Sequence, residues 1–145
     1  MEKKRYVYDS LIVLCGDKNY HRRTIEIFAE DYGMKRPFEI LHGGGAGLLH
    51  DDCRGAQWER EKAFFIINKF KLSRIGLANH MACLGYQGSF FKPFPSGAEV
   101  VEIQKKHLLD LSMMFRAHAL NVVALYPERY KDGGIEDIRA PKIFP

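Results

Sequence analysis

The residues best suited to chemistry in this chain are Cys15, in "CGDKN", and the pair His80 and Cys83, in "HMAC". Zinc prefers thiolate and imidazole donors in a tetrahedral array, so these three offer sulfur, nitrogen and sulfur with one position open. Asp17, two residues beyond Cys15, either fills that position or stands off and accepts a hydrogen bond from a metal-bound water. Two thiolates cancel the charge of the dication, yet the ion still lowers the pKa of its water from about 15.7 toward about 7 in the best-known sites. Taken singly, each residue has a plainer use. A cysteine in a strand is usually a small buried hydrophobe, and H-x-x-C alone is a spacing that arises by chance in many chains.

What gives the grouping weight is the set of elements that must position it. "DSLIVLC" (9–15) is a continuous apolar run bounded by polar residues, as expected of a strand buried on both faces. From 20 to 32, Ile25, Phe28, Ala29 and Tyr32 recur at helical spacing and Gly33 supplies the stop. A second strand is expected at 37–41, leading into the flexible loop "HGGGAG", and a helix at 56–71 with Ala63, Ile66, Ile67 and Phe70 on one face. "RIGLAN" (74–79) reads as the third strand, about 98–118 as a long helix with Val101, Leu108, Leu111 and Phe115 inward, and 121–126 as the fourth strand. The final "IEDIRAPKIF" reads as an edge strand.

Alternating strand and helix gives an α/β fold, a three-layer sandwich with a mostly parallel central sheet of order 2-1-3-4 plus a C-terminal edge strand. Chain direction then reverses beside strand one, and ligands in such sheets bind outside the carboxyl ends of the strands at that reversal. Cys15 closes strand one and His80 follows strand three, so the topology expects them in one crevice.

Length and composition bound the rest. A chain of 145 residues suits a single domain, expected here over 1–145, and 46% hydrophobic with 28% charged residues places it among soluble globular proteins. The apolar run near the start is too short for a secretory signal, and nothing approaches the roughly 20 apolar residues of a membrane span. A cytoplasmic protein is expected, without a membrane partner. Three cysteines make no disulfide framework, and in a reducing compartment they bind metal, react or fill core. The net charge of +4 is scattered, and its two clusters, at 3–5 and 22–23, are not interleaved with stacking aromatics, so no nucleic-acid partner is expected.

"CGDKN" followed by "HMAC" resembles the β-class carbonic anhydrases, whose signature is C-x-D-x-R and then H-x-x-C on a parallel core of this topology. "EILHGGGAGLL" is similar to the family's strand and "RNAGN" segment, with Ala46 and Gly47 matching its Ala-Gly, and "VVALYPERYKDGGIEDI" resembles its last parallel strand, turn and antiparallel strand. The likeness runs from Asp9 onward and lacks the N-terminal helical arm of typical members. It implies Cys15, His80 and Cys83 as zinc ligands, with Asp17 either orienting a zinc-bound hydroxide or serving as fourth ligand. It further implies reversible hydration of CO2 to bicarbonate, and a homodimer or higher even oligomer. Asn19 stands where the family has an arginine that holds the aspartate off the metal, Gly44 where it has the Arg of "RNAG", and Ala82 where many members have Asp or another polar residue. Arg22 or Arg23 is the nearest substitute for the first arginine. Two alternatives stay open beside the carbonic anhydrase: a catalytically silent homologue with zinc closed by four protein ligands, and a zinc hydrolase or lyase acting on another small electrophile.

Several segments outside that signature carry expectations of their own. "HGGGAG" matches an esterase oxyanion loop in letters, but no G-x-S-x-G elbow exists, and close backbone approach beneath the crevice is the expected use of its glycines. "LLHDDC" offers His50, Asp51, Asp52 and Cys53 as a second metal cluster, with Asp51 or Asp52 expected instead to cap the next helix. His42 is a candidate proton carrier. Phe90, Phe91 and Phe94 are expected in core, in a dimer interface or on the wall of a small apolar pocket.

Overall fold

The computed structural model describes residues 7–80, 99–132 and 135–143. Cys83, Phe90, Phe91 and Phe94 lie outside them. The apolar run after Asp9 forms β1 (Ser10–Leu14), all five residues buried. It pairs in parallel with β2 (Pro37–Leu41) on one side and β3 (Arg74–Ala78) on the other, and β3 pairs in parallel with β4 (Asn121–Leu125), giving the order β2-β1-β3-β4.

Strand alternation assigns each side chain to a face. Leu11 and Val13 point into a core shared with α2 (Ala56–Phe70) and α3 (Glu99–Ala117), where Ala63, Ile67, Leu108 and Phe115 meet the sheet. Ile12 and Leu14 point the other way, onto Ile27 and Phe28 of α1 (His21–Tyr32). Full burial of a side chain such as Phe28 contributes about 2 kcal/mol. Its ring needs Gly76 beneath it, because a Cβ there would lie 2.7 Å from Phe28 Cε1.

Helix α1 stops as its sequence requires. Gly33 adopts φ 70°, its amide returns to Ala29 O at 3.2 Å, and the Arg74 guanidinium donates to the carbonyls of Tyr32 and Gly33. A cation on the last carbonyls complements the negative end of the helix. The start of α2 departs from expectation: its N-cap is Gly55, in the left-handed region at φ 76°, with no side-chain capping bond. Asp51 pairs with Arg60 at 2.7 Å and Asp52 with His107 at 2.9 Å, so side-chain partners take both of the carboxylates, either of which sequence offered as a cap.

The loop expected at "HGGGAG" also differs, since Gly45–Leu49 forms a 3₁₀ turn in which Gly45, Ala46, Gly47 and Leu49 are buried. After β4 the chain forms a hairpin, β5 (Glu128–Asp132) against β6 (Ile135–Arg139). It then returns to the sheet edge: Tyr126 N–H donates to Pro141 O at 3.1 Å and Ile143 N–H to Ala124 O at 2.9 Å. The antiparallel edge contact therefore comes from residues just beyond "IEDIR". Among the described residues no helix is long and apolar enough to cross a membrane.

Asp9 anchors the entry to β1. Its carboxylate accepts from Ser10 Oγ at 2.7 Å and from the amides of Lys35 and Arg36 at 2.9 and 3.0 Å. Burial pushes this carboxyl upward, but the bonds from Ser10, Arg36 and Lys35 and the charge of Arg74 outweigh it and hold the pKa below its ordinary value. A depressed folded-state pKa contributes stability above the unfolded value of about 3.9 and loses it as pH falls through the folded value. Asp9→Ala is therefore expected to cost about 1–2 kcal/mol at neutral pH. Urea unfolding of both chains should show that gap closing below about pH 4.

Candidate metal centre

The parallel pairing of β1 with β3 brings their carboxyl ends side by side, with Cys15 following the first and Asn79 and His80 the second. Cys15 and His80 line one cavity of about 10 Å³, together with Tyr20, Thr24 and Asn79. That volume holds a single water or ion. Cys15 is 8% exposed and His80 3% exposed, so the donors sit below the surface. The Cys15 thiol donates to Gly43 O at 3.6 Å, which ties β1 to the glycine segment.

His80 is fixed from several sides. The Tyr20 ring stacks on its imidazole at 4.2 Å and 17°. Gln104 Nε2 donates to His80 O at 2.8 Å, and Tyr126 Oη donates to Gln104 Oε1 at 2.6 Å. Asn79 joins the same network, its Nδ2 donating to Gln104 O at 3.2 Å and its Oδ1 accepting the Gly47 amide at 3.1 Å. Asn79 and Gln104 are essentially fully buried, and such networks rigidify because each unmade bond would be costly. Sequence reading missed Tyr20, Thr24, Asn79, Gln104 and Tyr126. A polar residue, Gln104, on the apolar face of a long helix was the one signal present.

The glycine segment does approach closely. Gly45 lies at φ 56°, and a Cβ there would meet Ala78 O at 2.7 Å and Asn79 Oδ1 at 2.9 Å. The segment thus packs against the ends of both strands that carry Cys15 and His80.

Asp17 is placed differently from those two. Its Oδ1 accepts the Asn19 amide at 2.9 Å and its carbonyl accepts the amides of Tyr20 and His21, forming the turn that opens α1. It does not line the cavity among the described residues. Arg22 pairs with Glu26 at 3.2 Å, while Arg23 reaches Glu26 and Glu30 at 3.3 Å and Asp137 at 3.8 Å. Both guanidinium groups are thus engaged with acids other than Asp17. His42 Nε2 lies 2.8 Å from Glu59 Oε2, directed to α2 and not to the cavity wall. Cys53 packs with Cys15, Ala56 and Val100; burial first, then the charge of Glu59, pushes its thiol up to about 11, so it stays protonated and unreactive at neutral pH.

A thiol and an imidazole meeting at an ion-sized cavity suit zinc in their donor chemistry. No protein-family model matches the sequence, and no curated protein matches it. Two solved structures match in fold. One is a cysteine-to-alanine mutant of the β-carbonic anhydrase CafD of the filamentous fungus Aspergillus fumigatus, with TM-score 0.52 and 15% identity over 87% of this chain and 86% of that one. The other is the β-carbonic anhydrase CafA of the same fungus, with TM-score 0.51 and 13% identity over 97% of this chain and 78% of that one. The α/β fold, with its parallel 2-1-3-4 sheet, is that of these β-carbonic anhydrases.

Proposed function

We propose that this chain is a zinc-dependent lyase of the β-carbonic anhydrase type that hydrates CO2 reversibly to bicarbonate. Cys15, His80 and Cys83 would hold the metal, and Asp17 would control the fourth position. The observation that carries the reading is the convergence of Cys15 and His80 on one ion-sized cavity at the carboxyl ends of adjacent parallel strands. When bound, zinc supplies Lewis acidity and acidifies water, so that a nucleophile for CO2 exists near neutral pH.

The chain's own residues provide the rest. The Tyr20 stack and the Gln104 bond orient His80, which lowers the cost of holding it as a ligand. Asp17 accepts the Asn19 amide through Oδ1, and in this reading its carboxylate would turn toward the fourth position and accept a hydrogen bond there from the water. Burial of the donors keeps bulk water from competing for them. The same reading carries a single domain over 1–145, a cytoplasmic location and a homodimer or higher even oligomer, the last checked by light scattering of the purified protein.

The test is metal analysis of the full chain expressed with added zinc, followed by stopped-flow CO2 hydration from about pH 6.5 to 9, the range that spans an acidified water. Zinc with a rate rising toward alkaline pH is expected. Zinc held through Cys15 with no rate at any pH would make the protein the closed, silent homologue, the outcome that Asn19 in place of the arginine favours. A chain that takes up no zinc would overturn both.

A further inference from the structure

We infer that His50, Asp52 and His107 form a second, sulfur-free site for a borderline divalent ion such as Zn²⁺ or Co²⁺, with Asp110 orienting His50. This inference does not depend on the lyase reading. Among the described residues these three have ligand atoms close enough to share one ion. His50 follows the 3₁₀ turn and Asp52 lies just beyond it, while His107 and Asp110 sit one turn apart on α3.

The geometry suits an ion. Asp52 Oδ2 lies 2.9 Å from His107 Nε2 and 3.5 Å from His50 Nδ1. Donors about 2.0–2.1 Å from a tetrahedral zinc are about 3.3 Å from each other, between those two values. His50 Nε2 lies 2.8 Å from Asp110 Oδ2, and His50 Nδ1 accepts the Asp52 amide at 3.1 Å. An Nδ1 that accepts leaves the proton on Nε2, where Asp110 takes it in a hydrogen bond. Carboxylate, histidine Nε2–H and an unprotonated Nδ1, whose lone pair an ion would take over from the Asp52 amide, then make the arrangement by which outer carboxylates orient metal-binding imidazoles.

Burial and charge agree with that assignment. The two rings stack at 4.0 Å. Their side chains are 0% and 12% exposed for His107 and His50, whereas those of Asp52 and Asp110 are 42% and 41% exposed. The nitrogen donors thus form the floor, and the carboxylates stand at a solvent-open mouth through which an ion can enter. Burial holds the His107 imidazole below its ordinary range, the direction that favours the neutral form. Two imidazoles and two carboxylates make an N/O set that selects zinc, cobalt or nickel over calcium or magnesium. Binding would clamp the segment after the glycine turn to α3, the helix whose Gln104 holds His80.

The experiment is Co²⁺ titration of the full chain and of Cys15→Ser, followed by equilibrium dialysis and visible absorption. Cys15→Ser is expected to bind one Co²⁺ with weak d–d bands and no sulfur-to-cobalt charge-transfer band. His50→Ala should abolish that binding, and Asp110→Asn should weaken it about 10–100-fold. In the otherwise unaltered chain, His50→Ala should remove one sulfur-free ion and leave any thiolate-ligated ion in place, which keeps the test valid should Cys15→Ser fold poorly. Cobalt binding indifferent to His50→Ala, or no sulfur-free ion at all, overturns the inference. Absence of any sulfur-ligated signal from the unaltered chain would instead fail the lyase reading and leave this inference standing.

Discussion

Cys15→Ser is expected to fold, to lose the zinc ion held at the strand ends and to hydrate CO2 no faster than buffer. A serine hydroxyl stays protonated near neutral pH, so the substitution removes one anionic donor while changing little volume. The hydroxyl can still donate to Gly43 O, the acceptor the thiol uses at 3.6 Å, and fold stability should therefore change little. Without the ion no group in the cavity brings the pKa of water from about 15.7 toward 7. Zinc analysis with and without Cys15→Ser, alongside stopped-flow hydration, reads both effects. Tyr20→Leu gives a graded counterpart: it removes the ring stacked on His80 but no ligand, so zinc affinity should fall by about 10–100-fold. A Cys15→Ser chain with unchanged zinc and unchanged rate would show that Cys15 is not a ligand.

Gly45→Ala is expected to be the most damaging single methyl in the site. Its Cβ would lie 2.7 Å from Ala78 O, a strand carbonyl in a sheet paired on both sides, and 2.9 Å from Asn79 Oδ1. Neither atom is the free end of a flexible chain. The left-handed backbone at φ 56° adds strain for any residue with a Cβ, and the two effects together should cost about 3 kcal/mol. Gly43→Ala is the control, because a Cβ there meets nothing within 4 Å. Its cost should stay within about 0.5 kcal/mol. Urea unfolding of the two variants separates them; equal stabilities would mean that the glycine turn is not wedged between the strand ends.

The two predictions rest on features that were unequally legible in the chain. The closeness of the glycines to the crevice followed from their number and place, but only coordinates single out Gly45 over Gly43. Asp51 and Asp52 read as helix caps because that is the usual local service of an aspartate before a helix. Arg60 and His107 override it, the guanidinium through a charge-assisted pair and the buried imidazole through a short ring-nitrogen contact. His50 was noticed with its neighbours in "LLHDDC", yet its ring partner His107 lies on a distant helix whose inward face sequence could read without saying which residue it would meet. Asp17 illustrates the same limit: C-x-D announces a pair, and the turn into α1 decides where the carboxylate faces.

By itself the sequence determined the parallel strands β1 to β4 and the helices α1 to α3, the stop at Gly33, and the order of strands that puts the ends after Leu14 and Ala78 together. Those outcomes follow from hydrophobic period, backbone sterics and the few crossover paths open to alternating elements, all legible over short spans. Only the tertiary structure decided which polar atoms meet. Asn79, Gln104 and Tyr126 find one another, as do Asp52 with His107 and His50 with Asp110, through side-chain bonds spanning 22 to 60 residues. A hydrogen bond discriminates over tenths of an ångström, and no one-dimensional pattern specifies the packing of α3 on the sheet to that precision.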